Sequence, residues 1–253
     1  FRMKEHIDRL YRSLDYARID SGLSHQEMTD ISEEAVERNM HLLSDVGDFT
    51  VHQFVTRGKG RRAWQAEDPT VGVKVGSIDR WFASAYDTGV HGVVTKTLSY
   101  SPEALDPKIK HYSRMNFNLA EIEANDMDAG ALPIMRDDRG NLTEGSGYNV
   151  FLVKDGVVRT SDDRSVLQGV SRGMVLDLAK QLEMSHTQEE LQPYDLYSAD
   201  EAFFTSTSWC VLPVTYVDKR PIGDGKPGPM WRRILDRWSE IAGKDIYGEI
   251  TDG

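Results

Sequence analysis

The sequence is almost free of cysteine and contains no long apolar run. Cys210 is the single cysteine among 253 residues, which excludes an intrachain disulfide framework and a cysteine-rich zinc site and fits a reducing cytoplasm. No stretch approaches the roughly 18 consecutive apolar residues that read as a membrane span. A transmembrane protein is therefore not expected.

Positive charge is also scarce. The chain has 30 Lys and Arg against 41 Asp and Glu, for a net charge of −11, and no basic block. This balance argues against nucleic acid or an anionic membrane as the main partner and suits a soluble, cytoplasmic protein. The seven histidines are scattered without metal-ligand spacing, so we expect no metal site.

Apolar periodicity predicts separate helices and strands. A three- and four-residue repeat favours a helix over 6–17, and Ser24 with Glu27 is typical of a capping box that opens a second helix ending near Leu43. Strands are predicted over 49–55, 70–75, 91–98 and 202–217, and helices over 113–125, 171–184 and 229–242. Asp155-Gly156 predicts a type I′ hairpin. This order indicates an α+β fold, with a small domain (1–78), a linker (79–88) and a larger domain (89–253).

One motif points to a function that its surroundings do not support. Residues Gly58 to Ala63 match the dinucleotide pattern G-x-G-x-x-A after a predicted strand. That pattern needs a helix whose N-terminus faces the pyrophosphate, and Asp68-Pro69 follows instead. We therefore do not expect a dinucleotide site.

Four other segments carry a stronger signal, and they are 106–110, 142–151, 167–172 and 200–207. The third is a glycine turn that opens a helix, where free amides, the helix dipole and the Ser171 hydroxyl favour an anion. The fourth ends in three hydroxyls that could serve the same anion. From spacing alone, Ser171 is better explained as an N-cap and the hydroxyl run as a turn.

Together and in this order, the segments resemble the class IV aminotransferases, the fold-type IV pyridoxal 5′-phosphate enzymes. The resemblance runs from the E-H-I-D-R-L helix at 5–10 to the loop at 223–229. Residues 142–149 are most similar to the (R)-selective amine transaminases and the branched-chain-like members. The resemblance implies a small N-terminal α/β domain and a larger cofactor-binding domain with a β pseudo-barrel and flanking helices.

The resemblance also implies cofactor-binding residues. Lys110 corresponds to the Schiff-base lysine because the E-A pair at 123–124 lies at the family's spacing, and Lys108 is the rival. Ser113 stands where many members have Asn, which puts that supporting contact in doubt. Glu144 corresponds to the carboxylate at the pyridine nitrogen. The implied phosphate-binding residues are Arg9, Val170, Ser171, Ser206 and Thr207.

Substrate recognition is expected from three further residues. Arg62 lies in the loop where D-amino acid aminotransferases and (R)-amine transaminases place an arginine that binds the substrate carboxylate, and Trp64 would line an apolar pocket beside it. Trp209 is a candidate for the same pocket and equally for the core. The alternative for Arg62 is a mobile loop with solvated charges.

The resulting hypothesis is a pyridoxal-phosphate-dependent transaminase that acts on an amine or amino acid and a keto acid in two half-reactions. An aminodeoxychorismate lyase-like enzyme and an inactive binding protein of the same fold remain alternatives. The resemblance also implies a homodimer. Because the family has strands before the E-H-I-D-R-L helix, we expect that the full protein has a preceding segment absent from this sequence.

Overall fold

The computed structural model describes residues 1–251, and the chain divides into two compact units between Asp79 and Arg80. The first unit comprises Phe1–Asp79, and the second begins at Arg80. Most of the predicted linker, residues 80–88, belongs to the second unit, where the side chains of Phe82 and Tyr86 are buried. Compactness does not test independent folding, so the predicted domain limits stay a prediction.

The first unit combines three α-helices with an antiparallel hairpin. Its elements are α1 (Met3–Ala17), α2 (His25–Glu37), a 3-10 turn (Met40–Leu42), α3 (Leu43–Val46), β1 (Phe49–Val55) and β2 (Val71–Ser77). The predicted capping box is confirmed: the Glu27 amide donates to Ser24 Oγ at 3.2 Å, and the Ser24 amide donates to Glu27 Oε2 at 2.7 Å. The second helix ends at Glu37, six residues before the expected limit.

The second unit is built on one mixed sheet of eight strands. Seven follow the order β4-β3-β9-β8-β5-β6-β7, with β10 paired to β9. They are β3 (Val90–Val94), β4 (Leu132–Ile134), β5 (Asn149–Lys154), β6 (Val157–Ser161), β7 (His186–Glu189), β8 (Glu201–Ser206), β9 (Cys210–Val217) and β10 (Arg220–Pro221). Antiparallel and parallel pairs alternate irregularly, as an α+β fold allows.

The β5–β6 hairpin has the turn that the sequence predicts. Asp155 and Gly156 connect the two strands, and both have positive φ, at 50° and 76°. A type I′ turn needs positive φ at both central positions. The predicted hairpin is confirmed, and it fixes the register of β5, which is buried except at Lys154.

One predicted strand is wrong. Residues 202–217 form two antiparallel strands, β8 and β9, joined by a turn at 207–209. The turn contains neither Gly nor Pro, and both strands are largely buried, so the hydroxyl run that leads into the turn is the only mark of the break in the sequence. The turn is fixed instead by the Ser208 amide, which donates to Ser206 Oγ at 3.3 Å, and by a positive φ of 54° at Cys210.

In the described part of the second unit, six helices accompany the sheet: α4 (Ala85–Thr88), α5 (Met115–Met127), α6 (Val170–Gln181), α7 (Pro193–Tyr197), α8 (Pro229–Ala242) and α9 (Ile246–Thr251). The carboxylate of Glu201 in β8 caps α8, because it accepts from the amides of Met230 and Trp231, each at 3.0 Å. Among residues 1–251, no helix is long and apolar enough to cross a membrane.

Candidate active site

Lys110 lies in the turn before α5 and its side chain is exposed. The neighbouring Ile109 is buried and anchors this turn to the core. The Lys108 ammonium pairs with Asp106 Oδ1 at 2.9 Å, and the Lys108 amide donates to the same oxygen at 2.9 Å. This ion pair gives Lys108 a local structural role, and the choice of Lys110 as the reactive amine stays a prediction.

Helix α5 is anchored at its far end by Glu123, in the E-A pair that selected Lys110. The Glu123 carboxylate accepts from the Lys96 amide at 2.6 Å and the Thr97 amide at 2.9 Å. Burial raises the pKa of this carboxyl, but the hydrogen bonds outweigh it and the pKa lies below the ordinary value. The contact ties α5 to the segment that follows β3.

Glu144 is a buried carboxylate, with 7% of its surface exposed. Its Oε2 atom accepts from Asn149 Nδ2 and from the Leu167 amide, each at 3.1 Å. Burying a carboxylate is costly unless hydrogen bonds replace its hydration, and these two donors do so. The carboxylate thereby joins the start of β5 to the loop that leads into α6. Its contact with a cofactor nitrogen stays a prediction.

Asn149 is a supporting residue that the sequence did not reveal. Besides holding Glu144, its Nδ2 donates to the Leu167 carbonyl at 3.0 Å. Its Oδ1 also packs so closely on Gly169 that a Cβ at position 169 would lie 2.2 Å away. The available signal was a polar residue opening an otherwise apolar buried strand, which needs a partner.

The N-terminus of α6 offers amides without a side-chain cap. Its N-cap residue is Gly169, which has no side chain to accept from them, and Val170 is the first helical residue. Ser171 lies inside the helix and is buried, so the alternative that it is the N-cap is wrong. Amides, a helix dipole and a hydroxyl therefore meet at one point, which suits a phosphate dianion.

Arg172 is a second supporting residue that the sequence did not reveal. Its guanidinium is buried, donates to the Ser161 carbonyl at 2.7 Å and to Gln188 Oε1 at 2.8 Å, and pairs with Asp163 Oδ1 at 2.9 Å. Burial lowers the pKa of Arg172, and attraction to Asp163 and Glu144 opposes that shift. The Arg172 side chain fixes the first turn of α6. Its positive charge also acts on the Glu144 carboxylate.

The end of β8 and the β8–β9 turn carry the remaining phosphate-binding candidates. Ser206, the last residue of β8, is half-buried, and Thr207 is exposed in the turn. Just before it, Thr205 pairs with Asn149 in the sheet, and its buried Oγ1 has no hydrogen-bond partner among the described residues. Helix α6 packs on β8. The buried Thr205 hydroxyl therefore lies on the strand next to the helix whose start we predict to bind phosphate. This is the kind of polar surface that a bound anionic cofactor would complete.

Trp209 belongs to an aromatic cluster rather than to an open surface. Its ring lies 5.6 Å from those of Trp81 and Phe82 and 5.8 Å from that of Tyr148, between ring centroids. The Tyr86 hydroxyl donates to the Trp209 carbonyl. Trp209 is therefore a core residue, which is one of the two alternatives that the sequence left open. Its role in substrate binding stays a prediction.

The other three candidates lie in the first unit. Arg9 is half-buried on α1, with Nη2 3.4 Å from His6 Nδ1. Arg62 and Trp64 are exposed in the β1–β2 connection, and the Arg62 guanidinium lies 5.6 Å from the Trp64 ring centre in a cation–π contact. The roles of these residues toward phosphate and substrate stay predictions.

Comparison with known proteins gives consistent matches over most of the chain. The family described as amino-transferase class IV matches residues 1–217. A putative branched-chain-amino-acid aminotransferase of Methanocaldococcus jannaschii is 31% identical, over 98% of this chain and 86% of the relative. A D-alanine aminotransferase of Bacillus licheniformis is 29% identical, over 92% and 80%.

The fold matches solved structures as well. A branched-chain amino acid aminotransferase from T.th., solved with pyridoxamine 5′-phosphate, has a TM-score of 0.87 at 28% identity, covering 98% of this chain and 80% of that one. The Escherichia coli branched-chain amino acid aminotransferase has a TM-score of 0.85 at 25% identity, covering 96% and 79%. The similarity extends through both units.

Removing the Asn149 amide tests whether it supports the buried carboxylate. We expect Asn149→Ala to lower the free energy of unfolding by about 1–3 kcal/mol, because Glu144 and the Leu167 carbonyl each lose a buried donor. Asn125→Ala is the matched control, since Asn125 Oδ1 accepts from the Gly130 amide at an exposed position, and should change it by only about 0.5 kcal/mol. Urea unfolding measures both, and equal losses would contradict the assigned role.

Proposed function

Because the chain belongs to the class IV aminotransferases, we propose how its residues share the work of a pyridoxal-phosphate-dependent transamination. The enzyme moves an amino group between an amino acid and a keto acid with pyridoxal 5′-phosphate as cofactor. One observation carries the assignment of residues. A buried, doubly hydrogen-bonded Glu144 lies beside the uncapped start of α6, in the same unit as the exposed amine of Lys110.

Lys110 is assigned the covalent and proton-transfer roles. Its amine, in the neutral form, would hold the cofactor by the aldehyde carbon. Once freed by the substrate amine, Lys110 Nζ would move a proton to and from the substrate carbon. When bound, the cofactor supplies an electron sink for the negative charge that develops on that carbon.

Glu144 is assigned to the ring nitrogen of the cofactor. An ionised carboxylate at that nitrogen holds a proton there and so preserves the electron-accepting character of the ring. The two donors on Oε2 fix the carboxylate in place. Asn149 and Arg172 act through Glu144 and the α6 turn, and we treat them as positioning residues.

The phosphate is assigned to the start of α6 and to nearby hydroxyls. The amides of Val170 and Ser171 and the Ser171 hydroxyl would bind its oxygens, with Ser206 and Thr207 contributing from the β8–β9 turn. Arg9 is proposed as a further phosphate-binding residue, through a charge-assisted hydrogen bond. The uncapped helix start and the buried Thr205 hydroxyl support this assignment.

For the substrate we propose a branched-chain amino acid as the first candidate, with a D-amino acid or an (R)-amine as rivals. Relatives named for branched-chain amino acids and for D-alanine support the first two. Arg62 would bind the substrate carboxylate, and Trp64 and Trp209 would line the apolar part of the pocket. A lyase using the same lysine is the second candidate, and it would release product without a keto-acid acceptor.

We further propose a cytoplasmic homodimer. The single cysteine and acidic charge support the compartment. Helix α5 leaves Met115, Leu119 and Ile122 exposed at 70%, 50% and 59%, and their spacing puts them on one face. Such an apolar stripe suits contact with a second copy, and light scattering of the purified protein measures the subunit number.

Covalent labelling distinguishes the two lysines. We expect the purified protein to absorb visible light with bound cofactor, and borohydride reduction followed by peptide mapping to place the label on Lys110. Lys110→Ala should carry no label, because no amine reaches the aldehyde, whereas Lys108→Ala should be labelled like the natural protein. A label on Lys108, or no bound cofactor, would contradict the assignment.

A donor panel tests the role of Arg62. L-leucine, D-alanine and an (R)-arylalkylamine are added singly, and loss of the visible band reports the first half-reaction. We expect Arg62→Gln to raise KM for the preferred amino acid by about 10-fold or more, the cost of losing one charge-assisted hydrogen bond. The amine, which has no carboxylate, should be little affected. Arg61→Gln is the control, and equal effects of the two substitutions would contradict the role.

A further inference from the structure

The residue after Lys110 is a histidine whose ring is part of the turn before α5. The Ser113 amide donates to His111 Nδ1 at 3.1 Å. The ring of His111 also packs edge-on against Tyr100, with 5.7 Å between centroids. The Tyr100 hydroxyl in turn donates to the Ser113 carbonyl at 3.1 Å. Both peptide groups of Ser113 are therefore held by this His111–Tyr100 pair.

The bond from Ser113 requires an unprotonated Nδ1. A protonated imidazole has N–H groups on both nitrogens and cannot accept it. Burial, the Arg114 charge and the Lys110 charge, in that order, lower the pKa of His111 from its ordinary 6.5. The ring is therefore neutral above pH 6.5, and the turn is intact there.

The placement of this turn connects it to the reactive amine. Lys110 is exposed and immediately precedes His111, so the backbone direction at 110–113 sets where the lysine side chain points. In this chain Ser113 occupies the position where many family members have Asn. Here the backbone groups of Ser113 make the local bonds, and the imidazole supplies the acceptor.

We propose that His111 is a positioning residue for Lys110, whose neutral ring fixes the 110–113 turn and whose protonation releases it. The proposal rests on the assignment of Lys110 as the lysine that binds the cofactor. Loss of the Ser113 bond lets the turn move, and a misdirected amine slows proton transfer. The acid side of the pH profile then reports His111.

The charged groups that act on the ring are Arg114 and Lys110, and Tyr100 covers it from the preceding segment. Two substitutions separate the acceptor function from the titration.

His111→Asn replaces the ring with an acceptor that does not titrate. An Asn side chain accepts from the amide two residues on, as in an Asx turn. We expect kcat at pH 7.5 within about threefold of the natural enzyme and a flattened acid limb below pH 6.5, because positioning survives without a protonation step. Rescue of this kind is the signature of a positioning role.

His111→Leu removes the acceptor altogether. We expect kcat to fall about 10-fold at every pH with KM within about threefold, since substrate binding is untouched while the amine is misaligned. His91→Asn is the matched control, because His91 is exposed on β3 and pairs with Asp128, and its profile should coincide with that of the natural enzyme.

The outcomes separate this proposal from the function on which it rests. The same preparations are reduced with borohydride and mapped, and a label away from Lys110 overturns both. With the label on Lys110, an acid limb unchanged in His111→Asn, or a natural kcat in His111→Leu, overturns the role of His111 alone. If His111→Leu fails to fold, the profile of His111→Asn still decides.

Discussion

The structure depends on one buried interaction, the contact of the Glu144 carboxylate with Asn149 Nδ2 and the Leu167 amide. A carboxylate with 7% exposure would be strongly destabilising without donors of this kind. The donors come from the start of β5 and from the loop before α6. The hydrogen bonds of Glu144 therefore connect the sheet to the start of α6. We assign the first to the ring of the cofactor and the second to its phosphate.

The electrostatics of the second unit follow from the same arrangement. Arg172 is buried on α6 and attracted to Glu144, while its own bonds to Ser161, Gln188 and Asp163 fix the first turn of that helix. The negative charge of Glu144 and the positive potential at the start of α6 are therefore both fixed by contacts around Arg172. A cofactor with a protonated ring nitrogen and a dianionic phosphate matches this separation of charge.

Sequence patterns predicted those features that local physics determines. The Ser24 capping box and the Asp155-Gly156 hairpin require no distant contact, and both were predicted correctly. The turn between β8 and β9 was indicated only by the alternative for the hydroxyl run, because its φ of 54° at Cys210 and its Ser206 contact follow from packing rather than composition. The roles of Asn149 and Arg172 were also missed, since their partners are 5 to 28 residues away in the chain and meet only in the folded sheet.

The charge of Glu144 gives the most direct test of the account. Gln at position 144 retains an oxygen that accepts from Asn149 and Leu167 and removes only the negative charge. We predict that Glu144→Gln binds the cofactor and reduces the rate of the first half-reaction by about 100-fold, as loss of one preorganised electrostatic contact does. Stopped-flow absorbance with the preferred donor measures this rate, and a rate within about threefold of the natural enzyme would contradict the account.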